Sequence, residues 1–177
     1  GLVNYIDALV SATKDSALPI YLYHYPQLTG IPWHVELIKR LRKTFPSRIV
    51  GLKDSSGDMA FARSAAAVAP DFAVFPSTEA CLLDARKGEF AGCISATANL
   101  NADLCQRAWS AVDVAALDAA VGIRKLFDGR PLVPGVKTLL AHIHKDPALA
   151  RVRPPLAAVS AADRDAITGG YDAIRAK

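Results

Sequence analysis

Residues 48–58 have the sequence RIVGLKDSSGD, in which a continuously apolar run ends on a lysine. The run IVGL predicts a strand that is buried on both faces, as in a parallel sheet covered by helices. Ser55 precedes Asp58 by three positions, which is typical of a capping box and predicts a helix directly afterwards. The segment therefore predicts a strand–helix unit with Lys53 at the carboxyl end of its strand.

The same alternation continues on both sides of this segment. Short apolar or aromatic runs predict four strands, at residues 18–25, 48–53, 72–75 and 91–96, and a pattern with helical period follows each of them. Such units imply parallel strands joined by crossover helices. Both a doubly wound open sheet and a (β/α) barrel satisfy the pattern, although no glycine-rich phosphate loop follows any strand.

The number of predicted strands also bears on domain organisation. Residues 1–112 carry the strand–helix units, and residues 113–177 have a helical pattern throughout. Four strands are half of a barrel, and the chain is shorter than the roughly 250 residues usual for that fold. Because the chain starts on a helical pattern at residues 1–14, we expect further strands to lie outside this sequence.

Composition limits the class of protein. The 177 residues are 51% hydrophobic and carry a net charge of +4, which predicts a globular domain. Basic residues alternate with apolar ones, which favours a solvated helix face over nucleic-acid binding, and no run approaches the roughly 18 apolar residues of a membrane span. Without a secretory leader pattern, we expect a cytoplasmic protein. The three cysteines form no tight pair, so neither a disulfide framework nor a metal site is expected.

Lys53 is the most informative candidate for chemistry. Active sites of parallel α/β folds lie at the carboxyl ends of the strands, where Lys53 is expected. Desolvation at the end of an apolar strand disfavours the charged form of an amine and so favours nucleophilic attack on a carbonyl. The alternative is a salt bridge from Lys53 to Asp54 or to Glu79.

Other polar side chains fall at the remaining strand ends. Tyr23 could relay protons next to a reactive lysine, or it could be a packed aromatic residue. Ser77, Thr78 and Glu79 follow the third strand; Glu79 could contact substrate hydroxyls or act in acid–base chemistry, or stabilise the first turn of a helix. His24 is expected on the opposite strand face from Tyr23, in a packing or hydrogen-bonding role.

Four segments together resemble one family. YLYHYPQLTG at residues 21–30, GLKDSSGD at residues 51–58, GCISATANLNADL at residues 92–104 and GRPLVPGVKTLL at residues 129–140 occur in matching order. They are similar to segments of the dihydrodipicolinate synthase and N-acetylneuraminate lyase family, the lysine-dependent pyruvate aldolases. The resemblance extends over nearly the whole chain.

The resemblance implies a (β/α)8 barrel with additional C-terminal helices, of which this chain is about the second half. It implies that Lys53 forms a Schiff base with pyruvate, that Tyr23 shuttles protons, and that no cofactor is needed. It also implies a homo-oligomer, a dimer or a tetramer, that acts on a small-molecule 2-oxo acid and an aldehyde. By the same resemblance, the residues that line the substrate site are Ser77, Thr78, Glu79 and Ile94.

Two departures from the family bear on the substrate. True dihydrodipicolinate synthases carry an arginine two residues after the motif's proline, whereas Pro26 is followed here by Gln27 and Leu28. A carboxylate clamp is thus missing, which favours a 2-keto-3-deoxy sugar acid-type aldolase or dehydratase. The family's threonine-bearing segment for the pyruvate carboxylate also has no counterpart. Two alternatives remain: a non-catalytic half-barrel that binds a 2-oxo acid or a partner chain, and an unrelated open-sheet regulatory domain.

Overall fold

The computed structural model describes residues 1–16 and 18–176. The backbone divides into two units, one made of Gly1–Ser77 and Lys87–Gly92 and the other of Thr78–Arg86 and Cys93–Lys177. Residues 17 and 177, which fall in the predicted regions 1–112 and 113–177, lie outside the described residues. The sequence predicted a boundary after residue 112, between barrel elements and a helical extension. The two units are defined differently, so that boundary stays a prediction.

The first unit alternates helices and strands. Its elements are α1 (Leu2–Ala12), β1 (Ile20–His24), α2 (Pro26–Thr29), α3 (Val35–Thr44), β2 (Ile49–Asp54), α4 (Met59–Ala66) and β3 (Ala73–Pro76). The three strands are parallel and lie in the order β1-β2-β3. The first three predicted strands are therefore confirmed, to within two residues at each end.

Burial explains why the apolar runs become strands of this sheet. Ile49, Leu52 and Val74 are almost completely removed from solvent, as are Ile38 and Leu41 of α3. Burial of a large aliphatic side chain stabilises the fold by about 1.5–3 kcal/mol. A strand with apolar residues at successive positions can satisfy this on both faces only in a covered parallel sheet.

The register of the strands brings their carboxyl ends to one edge. Tyr23 of β1 is paired with Lys53 of β2, which is paired in turn with Phe75 of β3. One residue further along, Asp54 is level with Pro76. Polar residues at or just after these positions are thus held by the backbone ladders of the sheet.

The second unit is helical. It contains the 3₁₀ helix Glu79–Cys81, α5 (Leu82–Arg86), α6 (Ala98–Ala111), α7 (Val114–Lys125), α8 (Leu132–His144), the 3₁₀ helix Pro147–Ala150 and α9 (Ala161–Arg175). Residues from four of these helices, among them Leu104, Ile123, Leu139 and Ile167, form one buried cluster. The helices expected after residue 113 are present, and their core includes side chains of α6.

The predicted fourth strand at residues 91–96 is wrong. The Ala91 N–H donates to the Val74 carbonyl at 2.9 Å, as a strand beside β3 would. Gly92 then adopts φ +147°, a conformation that L side chains rarely adopt, and the following residues form no ladder among the described residues. A short apolar run cannot by itself show whether such a ladder continues.

The capping prediction before α4 is also wrong in its detail. The N-cap is Asp58 itself, whose carboxylate accepts from the N–H groups of Ala60 and Phe61. The helical pattern expected after the third strand begins as the 3₁₀ turn Glu79–Cys81, and the short helix α2 was not predicted. In the described part of the chain, none of the helices combines the length and the apolar character that crossing a membrane requires.

Candidate active site

Lys53 and Tyr23 form the centre of the candidate site, in the first unit. The Lys53 Nζ lies 3.0 Å from the Tyr23 phenol oxygen and 4.1 Å from the centroid of the Tyr23 ring. Lys53 is half-buried, and Tyr23 is 48% exposed. The paired amine and phenol thus have open access for a small molecule within this unit.

Two side-chain hydrogen bonds lower the pKa of Tyr23. The Lys53 amine and, next, the Ser55 hydroxyl at 3.4 Å bond to its phenol oxygen and lower the pKa of Tyr23 below its ordinary value. Hydrogen bonds to the charged form of an acid favour that form. The phenol oxygen is therefore suited to accept and return a proton next to the amine.

The loop after β2 is held by backbone and side-chain bonds. The buried Asp54 carboxylate accepts from the Ser56 N–H at 2.9 Å, and the Ser55 N–H donates to the His24 carbonyl at 2.7 Å. Asp54 is thus turned to the loop, which leaves the predicted ion pair between Lys53 and Asp54 without support. Gln27 Nε2 donates to the Ser56 carbonyl at 2.7 Å, so Gln27, which follows Pro26, helps to hold this loop.

His24 has the role that the strand alternation predicted. Its side chain is buried, its Nδ1 accepts from the Trp33 N–H at 3.1 Å, and its ring lies 4.3 Å from that of Phe61. Burial is the main cause that lowers the pKa of His24. The Trp33 indole N–H donates to the Tyr23 carbonyl at 3.0 Å. Trp33 therefore forms hydrogen bonds with both Tyr23 and His24 of β1.

The other predicted site residues lie in both units. Ser77 directly follows β3 in the first unit and is half-buried. In the second unit, Thr78 caps the 3₁₀ helix by accepting from the Ala80 N–H at 3.3 Å, and Ile94 is 44% exposed. The structure brings Lys53 and Tyr23 together within one unit, whereas the roles predicted for Ser77, Thr78 and Ile94 stay predictions.

Glu79 is fully buried, with an exposure of 0%. Its Oε1 accepts from the Thr97 hydroxyl at 2.5 Å and from Asn101 Nδ2 at 3.3 Å. Its Oε2 is buried and has no hydrogen-bond partner among the described residues. Thr97 and Asn101 are themselves fully buried, and a contact of Glu79 with substrate stays a prediction.

Sequence reasoning missed several of these residues. Ser55 could have been identified as a site residue, because side chains two positions apart in an extended segment point to the same side, and Ser55 follows Lys53 by two positions. Asn101 gave no such signal: it interrupts α6 with φ −138°, and its amide also donates to the Ala120 carbonyl at 3.1 Å. Among residues 1–16 and 18–176, no group of three or more His, Cys, Asp or Glu side chains could hold a metal ion.

An amine and a phenol at the ends of neighbouring parallel strands place the chain among α/β proteins with a site at the carboxyl edge of the sheet. The chain belongs to the dihydrodipicolinate synthetase family, whose sequence model matches residues 1–170. A DapA-like lyase of Chloroflexus aurantiacus is 30% identical over 181 residues, which cover 99% of this chain and 60% of that protein.

Solved structures agree with this assignment. Dihydrodipicolinate synthase from Agrobacterium tumefaciens is 31% identical, with a TM-score of 0.87 over 98% of this chain and 60% of its own. A prophage protein of the same family from E. coli K12, solved with pyruvate, is 22% identical, with a TM-score of 0.82 over 99% of this chain and 62% of its own. The chain thus spans about 60% of the length of these relatives. Its fold is part of a (β/α)8 barrel, as predicted, with three parallel strands among the described residues.

Proposed function

We propose that this chain carries the Schiff-base chemistry of a class I lyase acting on pyruvate or a related 2-oxo acid. The observation that carries the proposal is the 3.0 Å approach of the Lys53 Nζ to the Tyr23 phenol oxygen. Lys53 is the nucleophile, and Tyr23 is the group that moves protons. Membership of a family that includes lyases supports the reaction class.

The proposed reaction proceeds in balanced steps. The unprotonated Lys53 amine attacks the C2 carbonyl of the 2-oxo acid to give a carbinolamine, which loses water to become an imine. Loss of a proton from C3 gives an enamine, whose carbon forms a new bond to the aldehyde carbonyl carbon. Water then hydrolyses the product imine and returns the amine. Tyr23 delivers and removes the protons on the oxygen atoms, and cleavage is the same sequence in reverse.

The aldehyde partner is proposed to be neutral or hydroxylated. Gln27 and Leu28 follow Pro26, so no guanidinium occupies these positions. A bidentate arginine is the group that binds a substrate carboxylate strongly, and an amide or an aliphatic side chain does not replace it. We therefore favour a 2-keto-3-deoxy sugar acid-type aldolase or dehydratase. The proposed substrate-site residues are Ser77, Thr78 and Ile94, together with Glu79.

The decisive experiment is mass spectrometry of the intact protein after incubation with pyruvate and borohydride. Reduction converts an imine into a stable amine, so we expect a pyruvate-sized adduct that is lost in Lys53→Ala. Lys43→Ala, which removes an exposed lysine of α3, is the matched control and should retain the adduct. Peptide mapping should place the modification on Lys53.

Each result has a distinct meaning. An adduct on this chain alone would show that its strands suffice to shape the site. An adduct that forms only when the N-terminal barrel strands are joined to the chain would assign the remaining determinants to those strands. The absence of an adduct in both forms would contradict the lyase proposal and favour a half-barrel that binds a 2-oxo acid or a partner chain. Assembly as a cytoplasmic homodimer or homotetramer stays a prediction of the sequence.

A further inference from the structure

The side-chain amide of Gln27 connects the two chain segments that follow β1 and β2. Gln27 belongs to the short helix α2, and its Nε2 donates to the Ser56 carbonyl at 2.7 Å. Ser56 lies between β2 and α4, in residues 55–58, which we call the β2–α4 loop. All of these elements belong to the first unit, together with Lys53 and Tyr23. The bond therefore lies at the carboxyl edge of the sheet, where the candidate site is.

The backbone that carries Gln27 is ordered by its own contacts. Pro26 is the first residue of α2, where its ring holds φ near the helical value. The Gly30 N–H donates to the Pro26 carbonyl at 2.8 Å. The Thr29 hydroxyl donates to the Tyr25 carbonyl at 3.0 Å. Because this backbone is already ordered, the bond of Gln27 costs mainly the rotamer freedom of one side chain.

The β2–α4 loop is tied to the β1 side at two points. The Ser55 N–H donates to the His24 carbonyl at 2.7 Å, and one residue later the Ser56 carbonyl accepts from Gln27. The following Gly57 adopts φ +82°, and nothing lies within 4 Å of the position that a Cβ would occupy there. Open space at Gly57 leaves the loop room to move, so the bond of Gln27 fixes the end of a segment whose start is fixed by His24.

Two other hydrogen bonds of Ser56 shape the loop without tying it to β1. Its N–H donates to the Asp54 carboxylate at 2.9 Å, and its Oγ accepts from the Asp58 N–H at 3.0 Å. Both partners are neighbours of Ser56 along the chain, so these bonds move with the loop. Gln27 is 29 residues away in sequence, so its bond fixes the loop relative to β1.

The position of the β2–α4 loop bears directly on Tyr23, because Ser55 is the first residue of the loop. The Ser55 Oγ lies 3.4 Å from the Tyr23 phenol oxygen, beyond the roughly 2.5–3.0 Å that is usual between two hydroxyl oxygens. A further displacement of a few tenths of an ångström would take the pair out of hydrogen-bonding range. After the bond from Lys53, the bond from Ser55 is the second cause that lowers the pKa of Tyr23.

We infer that Gln27 is a positioning residue, which holds the β2–α4 loop so that the Ser55 hydroxyl stays beside the Tyr23 phenol oxygen. The alternative for a polar residue at this edge is direct contact with substrate, but the Gln27 amide nitrogen donates to the Ser56 carbonyl. The effect on turnover rests on the proposed function, since it passes through Tyr23. The effect on the ionisation of Tyr23 rests only on these hydrogen bonds.

Gln27→Met tests the positioning role in the full chain, since methionine keeps the length of the side chain and removes its amide. Loss of the bond to Ser56 should release Ser55 from the phenol, so the pKa of Tyr23 should rise towards its ordinary value of 10.0. The measurement is NMR titration of ring-labelled tyrosine, with Tyr23→Phe to assign the signal. Amide hydrogen exchange at residues 55–57 should accelerate in the same variant.

Gln106→Met is the matched control for Gln27→Met. It removes another exposed glutamine amide, which bonds to the Ser110 Oγ at 2.6 Å within α6 of the second unit. The substitution and the kind of bond lost are the same, but the bond does not involve the β2–α4 loop. Gln106→Met should therefore leave the pKa of Tyr23 unchanged.

A double-variant comparison tests whether Gln27 acts through Ser55. Ser55→Ala removes the hydroxyl itself, so it should raise the pKa of Tyr23 at least as far as Gln27→Met does. The double variant should match Ser55→Ala, since no hydroxyl is left for Gln27 to position. Gln27→Ala repeats the comparison with a shorter side chain if Gln27→Met does not fold.

Turnover of pyruvate with an aldehyde gives the second measurement. Gln27→Met should lower the turnover number by about threefold to tenfold, which corresponds to the loss of one ordinary hydrogen bond, and by no more than Ser55→Ala does. Because a positioning residue does not touch the substrate, the half-saturation concentration for pyruvate should stay within about twofold of the parent value. Gln106→Met should change neither quantity.

The outcomes separate the two proposals. An unchanged Tyr23 pKa in Gln27→Met, or a double variant whose Tyr23 pKa exceeds that of Ser55→Ala, would overturn the positioning role. A higher half-saturation concentration for pyruvate at an unchanged turnover number would also overturn it, and would assign Gln27 to substrate binding. These results leave the lyase proposal standing. A parent protein that neither traps pyruvate nor turns it over would overturn the lyase proposal, whereas the Tyr23 pKa would still decide whether Gln27 positions Ser55.

Discussion

Tyr23 and Lys53 occupy paired positions on adjacent parallel strands, and the Lys53 Nζ lies 3.0 Å from the Tyr23 phenol oxygen. The pairing is a property of the backbone register, so neither side chain needs a loop to position it. The amine also lies over the face of the Tyr23 ring, where the ring quadrupole favours a cation. One phenol can thus interact with the amine in both of its protonation states.

Replacing Tyr23 with Phe tests its proposed role in proton transfer while Lys53 stays available to form the imine. The ring stays below the Lys53 amine, and only the hydroxyl is lost. We expect borohydride trapping of pyruvate to be slower but still to give the adduct, since Lys53 remains, while turnover with an aldehyde falls by about 10²–10⁴-fold, the usual contribution of a general acid–base group. The two rates are measured on the same preparation, with Ser55→Ala as the milder control. An unchanged turnover in Tyr23→Phe would remove Tyr23 from the mechanism.

The ionisation of Tyr23 should respond to changes at Lys53. The Lys53 hydrogen bond is the largest cause that lowers the pKa of Tyr23, followed by that of Ser55. Lys53→Met removes the donor and should return this pKa towards its ordinary value of 10.0, whereas Lys53→Arg keeps a charged donor. The measurement is NMR titration of ring-labelled tyrosine, with Tyr23→Phe to assign the signal. A Tyr23 pKa that is the same with lysine and methionine at position 53 would contradict the prediction.

Strands were predictable from the sequence where a short apolar run was sufficient to indicate them. The apolar run before Lys53 indicates a covered parallel strand because it is too short for a buried helix and has apolar residues at successive positions. The segment at residues 91–96 is also short and mainly apolar, yet the bond from Ala91 to Val74 of β3 does not continue as a strand ladder among the described residues. What ends the ladder there is the φ of +147° at Gly92, and a sequence does not reveal which conformation a glycine adopts.

The candidate site was predictable to the same extent. The pairing of Lys53 with Tyr23 follows from strand ends and from the period of two, which are local properties of the chain. The burial of Glu79 follows from Thr97 and Asn101, which are 18 and 22 residues away in sequence. Such contacts depend on how α6 packs, so no local pattern distinguishes a buried glutamate from one that faces a pocket.

The buried His24 predicts a pH dependence of stability. Its Nδ1 accepts from the Trp33 N–H, which only an unprotonated nitrogen can do. Burial lowers the pKa of His24 from its ordinary value of 6.5; His34 acts in the same direction, and Asp54 and Asp58 oppose it. Between the folded and the unfolded pKa, the unfolded chain binds more protons. This contribution to the free energy of unfolding is therefore complete above the unfolded pKa and is lost as pH falls through the folded one.

Urea unfolding from about pH 8 to about pH 5 measures this effect, with a slope of at most about 1.4 kcal/mol per pH unit from one proton. His24→Asn is the control, because its amide oxygen can accept from the same N–H but does not titrate. As pH falls, the free energy of unfolding should therefore decrease more steeply in the parent than in His24→Asn. A difference that is independent of pH would show that His24 does not titrate between the two states as predicted.

Replacing Gly51 with Ala tests whether β1, β2 and β3 must approach as closely as they do to align Tyr23 with Lys53. A Cβ at this position would lie 2.3 Å from the Ala73 carbonyl oxygen and 2.4 Å from a ring carbon of Tyr21. The Tyr21 ring could turn away, but the Ala73 oxygen belongs to the backbone of β3 and can move only if β2 and β3 separate. Gly51→Ala should therefore lower the free energy of unfolding by about 3 kcal/mol or more, at the upper end of the usual cost of overpacking.

Gly169→Ala is the matched control for Gly51→Ala. Position 169 lies inside α9 with nothing within 4 Å of an added Cβ, so the same substitution should stabilise the protein by about 0.5–1 kcal/mol. Both free energies come from urea unfolding, and pyruvate trapping is measured alongside. If strand spacing aligns the amine with the phenol, Gly51→Ala should also slow trapping while it is still folded, and Gly169→Ala should not. A Gly51→Ala variant as stable as the parent would mean that β2 and β3 can separate without cost.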